Sequence, residues 1–241
     1  MSQTIVDNFF QAAPQSCPLC DCGETLSYHE DERREYRQCA RCQLVFVIKG
    51  DHISRIEERA HYDLHTNSPH EKGYRQFLNR LAAPLNQRLL AHSRGLDFGC
   101  GPGPTLSVML EEWGHTVALY DSHYAADKSV LQRTYDFITA TEVVEHLAQP
   151  GFELQRLWDL IAPSGWLAVM TKLVIDQERF SHWHYRRDPT HISFFSRYTW
   201  NFIAQQWCSA VTYIGSDVIL IQKPAILKGV GHKLAKTTVT T

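Results

Sequence analysis

The sequence predicts an α/β protein in which helices cover both faces of a mostly parallel sheet. Two observations carry this prediction. From residue 94 to residue 222, short apolar segments typical of strands alternate with segments of helical periodicity. The last two strand segments flank Gly215-Ser216, a pair typical of a tight turn, so an antiparallel hairpin should form one edge of the sheet.

Each element follows from its local residue pattern. Strands are expected at 95–98, 116–120, 135–140, 165–172, 211–214 and 218–222, and helices at 105–113, 150–161 and 196–207. Upstream of the sheet, apolar residues spaced three or four apart between Tyr74 and Leu89 predict a further helix. Pro84 should kink or divide that helix, because proline lacks the N–H of the helical hydrogen bond.

Composition and charge limit the classes of function that the protein can have. Of the 241 residues 44% are hydrophobic and 21% charged, which excludes disorder throughout the chain. The 24 basic and 26 acidic residues give a net charge of −2, so no global basic field favours nucleic acid. No apolar run is long enough to span a membrane, and the N-terminus lacks the pattern of a secretory signal. We therefore expect a cytoplasmic protein without membrane association.

Four of the seven cysteines form two C-x₂-C pairs, Cys17 with Cys20 and Cys39 with Cys42. In a reducing compartment such pairs are typical of a tetrahedral Zn²⁺ site rather than of disulfides. We predict a structural zinc ribbon over residues 1–50, folded by its metal and separate from the sheet domain. The alternatives are a chance arrangement and a site that has lost its metal. Nearly balanced acidic and basic residues favour a structural or docking role for the ribbon.

The remainder of the chain divides into three parts. Residues 51–93 are polar with a helical pattern and are predicted to form a linker or lid. Residues 94–222 hold the sheet domain. Residues 223–241 carry several lysines and no acidic residue, and we expect a flexible tail there.

The segment Leu96 to Pro104 carries the densest chemical signal. A predicted strand runs into Gly99, Gly101 and Gly103, and a helix follows. A dinucleotide fingerprint would place the third glycine one residue later, and the prolines at 102 and 104 remove N–H groups that a pyrophosphate would use. The loop therefore suits a cofactor without phosphates. Asp121 ends the next strand, where a carboxylate can accept both hydroxyls of a ribose.

With these residues the chain resembles the class I S-adenosylmethionine-dependent methyltransferases. The matching segments are Leu96–Gly103, Val117–Asp121, Tyr135–His146 and Ala162–Leu167, in the order of that family. The resemblance implies a Rossmann-like fold over about residues 94–222 and an enzyme that transfers a methyl group. The cysteine pairs, the segment Arg59–Asn67 and the segment Trp183–His191 are similar to a group of bacterial methyltransferases that carry a zinc ribbon.

The resemblance also implies which residues contact S-adenosylmethionine. The candidates are Asp97, Gly99, Cys100, Gly101, Gly103, Asp121, Ser122 and Thr141. The family usually fits a helix, a strand and an adenine-contacting acid between Asp121 and the fourth strand, but residues 122–134 are too few for both elements. The adenine contact is therefore left open, with Ser122, Tyr124 and Asp127 as candidates.

Glu142-Val-Val-Glu145-His146 is the first candidate for chemistry at the methyl acceptor. We expect it to begin a helix, with its three polar side chains on one face. Two carboxylates and an imidazole could then hold a divalent cation. The motif resembles that of ubiquinone-pathway O-methyltransferases and small-RNA 2′-O-methyltransferases, some of which use Mg²⁺. The alternative is a pair of acids stabilising a helix N-terminus beside a packing histidine.

The second candidate is the histidine-rich segment that follows the fifth predicted strand. Loops at the carboxyl ends of parallel strands form the site in such sheets, so this segment should face the acceptor. His191 is the preferred general base and His184 the second choice, because imidazole titrates near neutrality. Glu142 and His146 are further catalytic candidates. The alternative is a set of surface histidines.

Three functions compete at this stage. The favoured hypothesis is a methyltransferase for a small-molecule acceptor at oxygen, nitrogen or carbon, working by in-line displacement. An RNA methyltransferase that grips the strand with its ribbon would need a basic groove, which the charge distribution does not indicate. A non-catalytic module that binds S-adenosylmethionine is the third, and the intact glycine loop argues against it. The sequence leaves the oligomeric state open.

Overall fold

The predicted alternation forms a six-stranded sheet. The computed structural model describes residues 15–64 and 68–225. The strands are β4 (Arg94–Phe98), β5 (Thr116–Tyr120), β6 (Tyr135–Thr141), β7 (Ile161–Met170), β9 (Val211–Ile214) and β10 (Val218–Gln222). Their order is β5-β4-β6-β7-β10-β9; the first four are parallel, and β10 is antiparallel to both of its neighbours. The mostly parallel sheet with an antiparallel edge hairpin is confirmed.

Helices cover both faces of the sheet. They are α2 (Lys72–Asn86), α3 (Thr105–Glu112), α4 (Pro150–Leu160) and α6 (Arg197–Gln206). Leu81 of α2 and Leu110 of α3 pack with Phe137 on one face, whereas Leu157 of α4 and Ile203 of α6 share a second apolar cluster. Neighbouring residues of β6 point to opposite faces, so Phe137 lies in the first cluster and Ile138 in the second.

Two local expectations differ from the structure. Pro84 does not divide α2, because it lies in the last turn, two residues before the helix ends. The missing N–H affects only one hydrogen bond at that point. The strand β7 begins at Ile161 rather than at residue 165, directly after α4. Between β5 and β6 only the 3₁₀ turn Lys128–Gln132 forms, as the shortness of this segment predicts.

The ribbon forms a second, antiparallel sheet. Its strands are β1 (Thr25–Glu30), β2 (Glu35–Cys39) and β3 (Val45–Val47), and the order is β1-β2-β3-β8. The fourth strand, β8 (Ser193–Phe194), belongs to the methyltransferase part of the chain. Leu44 and Phe46 lie in the same apolar cluster as α4 and α6. The expectation of a separate ribbon is therefore wrong: ribbon and main domain share a core.

Two short helices complete the described chain. They are α1 (Arg55–Tyr62), which begins with a capping box between Ser54 and Glu57, and α5 (Gln177–His182). Within residues 15–64 and 68–225 no helix is long and apolar enough to cross a membrane. Residues 1–14 and 65–67 and most of the predicted tail, 226–241, lie outside the described residues. Lys223 belongs to the domain, because its backbone bonds to Ser164 and Gly165.

Candidate active site

A cavity of about 580 Å³ opens at the carboxyl ends of β4, β5 and β6. The strands are parallel, so the loops that follow them meet at one edge of the sheet. The side chains around it come from the glycine loop, from the segment after β5, from residues 141–147, from α1 and from residues 185–191. We call the part lined by residues 97–124 the cofactor end and the part lined by residues 142–146 and 185–191 the acceptor end.

Backbone conformation shapes the glycine loop at the cofactor end. Gly99 and Gly101 adopt φ values of +74° and +63°, which side-chain-bearing residues rarely adopt. A Cβ atom on Gly99 would lie 2.4 Å from Val143 Cγ2, whereas a Cβ on Gly101 would meet no atom within 4 Å. The Gly99 N–H donates to the Tyr120 carbonyl at 2.7 Å, which ties the loop to β5. A ligand can therefore lie directly against the backbone at Gly101.

Asp121 holds the loop after β5 in place. Its carboxylate accepts hydrogen bonds from the N–H groups of Gly101 at 3.0 Å, His123 at 2.8 Å and Tyr124 at 3.1 Å. A carboxylate has about four acceptor positions, so capacity for a ribose hydroxyl remains. The same residue thus connects the two loops that form the cofactor end.

Asp97 is a buried carboxyl group beneath the glycine loop. It is 2% exposed and accepts a hydrogen bond from Thr139 Oγ1 at 2.7 Å. Burial raises the pKa of Asp97 to about 7, and the nearby Asp121 acts in the same direction. A positively charged ligand at this end would favour the ionised form.

All eight residues expected to contact the cofactor line this one cavity. They are Asp97, Gly99, Cys100, Gly101, Gly103, Asp121, Ser122 and Thr141. Among the candidates for the adenine contact, Ser122 and Tyr124 also line it. Asp127 does not; its carboxylate instead accepts from the Ser129 N–H at 2.8 Å and caps the 3₁₀ turn. Direct contact with the cofactor stays a prediction for each of them.

At the acceptor end the chain turns sharply after β6. Glu142 has a φ of +52°, a left-handed conformation that costs a non-glycine residue about 1 kcal/mol or more. Val144–His146 then form a 3₁₀ turn, and the α-helix begins only at Pro150. The expectation that this motif begins a helix is therefore wrong. The turn nevertheless leaves Glu142 and His146 lining the cavity.

Tyr185 joins the two glutamates of this motif. Its hydroxyl bonds to Glu145 Oε1 and lies 3.2 Å from Glu142 Oε2, while Thr171 Oγ1 donates to Glu145 Oε2 at 3.1 Å. Burial, with the charge of Glu145, raises the pKa of Glu142, and burial raises that of the fully buried Glu145. The Tyr185 hydroxyl has one proton and can donate it to only one of the two carboxylates at a time. The raised pKa values are consistent with a proton retained on this pair.

His191 and His146 lie side by side at the acceptor end. Their ring centroids are 4.7 Å apart, and His191 is 7% exposed. His191 Nδ1 is 2.7 Å from the Tyr185 carbonyl oxygen, which only accepts, so we assign the proton to Nδ1 and the lone pair to Nε2. Burial lowers the pKa of His191 to about 4, and His146 adds to this shift. The imidazole is therefore neutral at physiological pH.

The second predicted base, His184, does not line the cavity. Its Nε2 accepts a hydrogen bond from Lys172 Nζ at 3.0 Å. The reason is the 3₁₀ turn His184–Arg187, which turns Tyr185 inward and His184 outward. Sequence reasoning did not single out Tyr185, although an aromatic residue among histidines was a signal that could have found it.

Helix α1 contributes to the lining of the cavity. The ring of Tyr62 meets that of His146 edge-on at 5.3 Å between centroids, and its hydroxyl donates to Glu58 at 3.0 Å. The Tyr124 hydroxyl donates to Asp63 Oδ1 at 2.6 Å, next to the helix. The sequence predicted a helical linker or lid over residues 51–93, but the residues that line the cavity follow only from the tertiary arrangement.

The four paired cysteines come together in the ribbon. One sulfur from each of Cys17, Cys20, Cys39 and Cys42 lies within 4.8 Å of the others, and three of the four residues are buried. The N–H groups of Arg41 and Cys42 point to Cys39 Sγ at 3.4 and 3.5 Å, as in turns that hold a thiolate. The fifth thiol, Cys22, instead donates to the Glu24 carbonyl. This donor set fits a zinc ribbon.

Comparisons with known proteins agree with this geometry. Residues 67–207, more than half of the chain, match the family described as "Methyltransferase domain". A 1,6-didemethyltoxoflavin-N1-methyltransferase from Burkholderia thailandensis, solved with 1,6-didemethyltoxoflavin and S-adenosylhomocysteine, aligns over 82% of this chain and 99% of its own at 14% identity and a TM-score of 0.50. An O-methyltransferase family protein from the same organism aligns over 63% of this chain and 56% of its own at 11% identity and a TM-score of 0.47.

No curated protein matches this chain in sequence. At 14% identity the first solved structure demonstrates a shared fold, and the family match covers the glycine loop, Asp121 and the acceptor end. The chain belongs to the methyltransferase-domain family and is an S-adenosylmethionine-dependent methyltransferase with the class I fold.

Proposed function

We propose that this enzyme methylates a small-molecule acceptor at oxygen, nitrogen or carbon, with His191 as the general base. Bound S-adenosylmethionine would supply the methyl group on a positively charged sulfur. The acceptor atom forms a bond to the methyl carbon as the carbon–sulfur bond breaks, and its proton passes to His191 Nε2. The observation that carries the proposal is the Nδ1 contact of His191 with the Tyr185 carbonyl, which leaves the lone pair on Nε2 to accept a proton. Nε2 lies 3.9 Å from Asp188 Oδ2, and that carboxylate would stabilise the imidazolium formed.

The surroundings of the cavity support a small acceptor. The cavity has a volume of about 580 Å³, and residues of α1 and of 185–191 contribute to its lining. The net charge of −2 gives no overall basic field that would favour an RNA strand. The solved enzyme that shares the fold holds a small heterocycle, which is consistent with such an acceptor.

Isotope transfer tests this proposal. The purified enzyme is incubated with methyl-labelled S-adenosylmethionine and either a metabolite extract or total RNA, and label is expected only in a small-molecule fraction. With the acceptor in hand, His191→Ala should lower turnover about 10²–10⁴-fold while the affinity for S-adenosylhomocysteine changes little. His184→Ala is the matched control and should retain activity, because His184 lies outside the cavity. Full activity of the His191 variant would remove it from the mechanism.

The acceptor end also supports a second role for the same groups, as ligands of a divalent cation. One donor atom each from Glu145, His146 and His191 lies within 4.8 Å of the others. The sequence favoured Glu142, Glu145 and His146 for this ion, whereas the observed group contains His191 in place of Glu142. A carboxylate and two neutral imidazoles suit a divalent transition metal such as Mn²⁺. The protein would then use His191 to hold the ion rather than to take a proton.

Chelation separates the two roles. If His191 is the base, dialysis against a chelator too weak to remove the ribbon zinc should leave turnover unchanged. If the three residues hold an ion, turnover should stop and return on addition of Mn²⁺ or Mg²⁺. Elemental analysis of the same samples keeps this result apart from any loss of metal in the ribbon.

We further propose one structural zinc per chain, bound by Cys17, Cys20, Cys39 and Cys42. The closeness of the four sulfurs supports it. Elemental analysis of protein purified without chelator should find about one zinc per chain. Cys20→Ser should lose the metal, whereas Cys22→Ser, in the same ribbon but outside the cluster, should keep it. Metal-free wild-type protein would contradict the proposal.

A further inference from the structure

A buried arginine of the ribbon contacts the segment that carries His191. Arg34 lies in the turn between β1 and β2 and is 8% exposed. Its Nη1 donates to the carbonyl oxygens of Asp188 at 3.0 Å and His191 at 3.1 Å, and its Nη2 donates to the carbonyl of Arg186. One guanidinium thus satisfies three backbone acceptors of residues 184–192, which we call the acceptor loop.

In a second contact the arginine belongs to the acceptor loop and its partner to the ribbon. Arg186 of the acceptor loop forms an ion pair with Asp31 of the ribbon, with 2.5 Å between Nη1 and Oδ2. Asp31 in turn accepts from the N–H groups of Arg33 and Arg34, both at 3.0 Å, which fixes the turn that presents Arg34. Both ends of the acceptor loop are therefore held by the ribbon.

The acceptor loop also ends on the ribbon. The Val47 N–H of β3 donates to the Ile192 carbonyl at 2.9 Å, and the Ile192 N–H donates to the Glu145 carbonyl at 2.8 Å. Ile192 therefore lies between a ribbon strand and the buried glutamate of the acceptor end. These two backbone hydrogen bonds connect the ribbon to the acceptor end.

We infer that the ribbon positions the acceptor loop, with Arg34 as the positioning residue for the His191 ring. The inference rests on the proposed function in assigning His191 to the acceptor end. A carbonyl buried without its donor is costly, so loss of Arg34 should open the loop rather than leave three acceptors unpaired. A displacement of about 1 Å at a reacting group can cost on the order of 10²-fold in rate. The ribbon would act on methyl transfer through the acceptor loop, and the cofactor end would not respond.

Arg34→Met in the full-length, zinc-loaded protein tests this inference, and Arg37→Met is the matched control. Arg37 lies in the same ribbon and donates to Thr25 and Glu35, all within the ribbon. Hydrogen exchange over residues 184–192 should accelerate about 10-fold or more in Arg34→Met and stay at the wild-type rate in Arg37→Met. Arg34→Lys should give an intermediate rate, because an ammonium cannot reach all three carbonyls in fixed geometry.

Nitrogen-15 NMR of labelled histidine supplies a readout that lost stability alone would not change. Wild-type His191 should show the Nδ1–H form, and Arg34→Met should shift it towards the Nε2–H form that free imidazole side chains favour. The affinity for S-adenosylhomocysteine should stay within about 3-fold in every variant.

Two results would overturn the inference. One is wild-type exchange and tautomer in Arg34→Met. The other is a loss of S-adenosylhomocysteine binding together with faster exchange in β4–β6, which would make Arg34 a general stabilising residue. Neither measurement requires methyl transfer. Failure of the proposed base, seen as full activity in His191→Ala, is therefore distinguishable from failure of this inference.

Discussion

The two ends of the cavity are built in different ways. The cofactor end is lined by residues 97–124, a continuous part of the chain that holds the glycine loop and the carboxyls of Asp97 and Asp121. The acceptor end combines side chains from the turn after β6, from α1 and from the acceptor loop, and the ribbon holds that loop through Arg34. This difference indicates that cofactor binding depends on local backbone geometry, whereas chemistry at the acceptor depends on contacts between residues that are distant in sequence. Changes at one end should therefore leave the other largely unaffected.

The largest expected effect concerns the backbone of the cofactor end. Gly101→Val should weaken S-adenosylhomocysteine binding by more than about 100-fold, measured by isothermal titration. Valine is strained at a φ of +63°, and its side chain would enter the space where a ligand lies against the loop. Hydrogen exchange of the acceptor loop should stay at the wild-type rate. Faster exchange there would contradict the expectation that a change at one end leaves the other unaffected.

Gly215→Val is the control for that experiment. Gly215 has a φ of +61° and no atom within 4 Å of a Cβ, but it lies in the hairpin turn between β9 and β10. The backbone strain should cost a similar amount of stability, about 1–3 kcal/mol. Binding should be retained. Equal loss of binding in both variants would mean that instability, rather than the loop, explains the result for Gly101.

The next prediction concerns the charge of the buried Asp97 at the cofactor end. Burial raises the pKa of Asp97 to about 7 in the folded protein, above its ordinary value near 3.8. The unfolded chain therefore releases this proton first, and the contribution of Asp97 to stability falls as the pH rises from about 4 to about 7. Asp97→Asn keeps the acceptor for Thr139 and removes the charge. The variant should be more stable than the wild type at pH 8, by a few kcal/mol at most, and the difference should shrink towards pH 4.

The same substitution should weaken S-adenosylmethionine binding, because the positive ligand loses a carboxylate partner. Thermal unfolding at pH 4, 6 and 8 measures the first effect and titration calorimetry the second. A variant that is less stable than the wild type at pH 8 would contradict the burial cost assigned to Asp97. Burial of the ionised Asp97 carboxylate would then not lower the free energy of unfolding.

The contrast between the two ends also explains what the sequence could predict. The sheet, the glycine loop and the paired cysteines are recognisable because each depends on residues close in the chain. Glu142 has a left-handed backbone and His184 turns outward. Their contacts, Glu142 N–H with the Met170 carbonyl and His184 with Lys172, are with residues distant from them in the chain. Arg34 carried no signal at all, because a charged residue in a turn normally faces solvent. The shared core of ribbon and sheet was missed because it joins Leu44 and Phe46 to α4 and α6, which are distant in the chain.

The smallest expected effect tests whether side chains matter in the glycine loop. Cys100 lines the cavity, and its N–H is directed at the Tyr120 carbonyl at 3.3 Å. Burial raises the pKa of its thiol to about 12, so the group is neutral, and Cys100→Ser replaces it with a neutral group of similar size. If the loop binds through its backbone, S-adenosylhomocysteine affinity should change by less than about 3-fold in titration calorimetry. A loss of 10-fold or more would show that the thiol itself contacts the ligand, and the cofactor end would then depend on side chains as the acceptor end does.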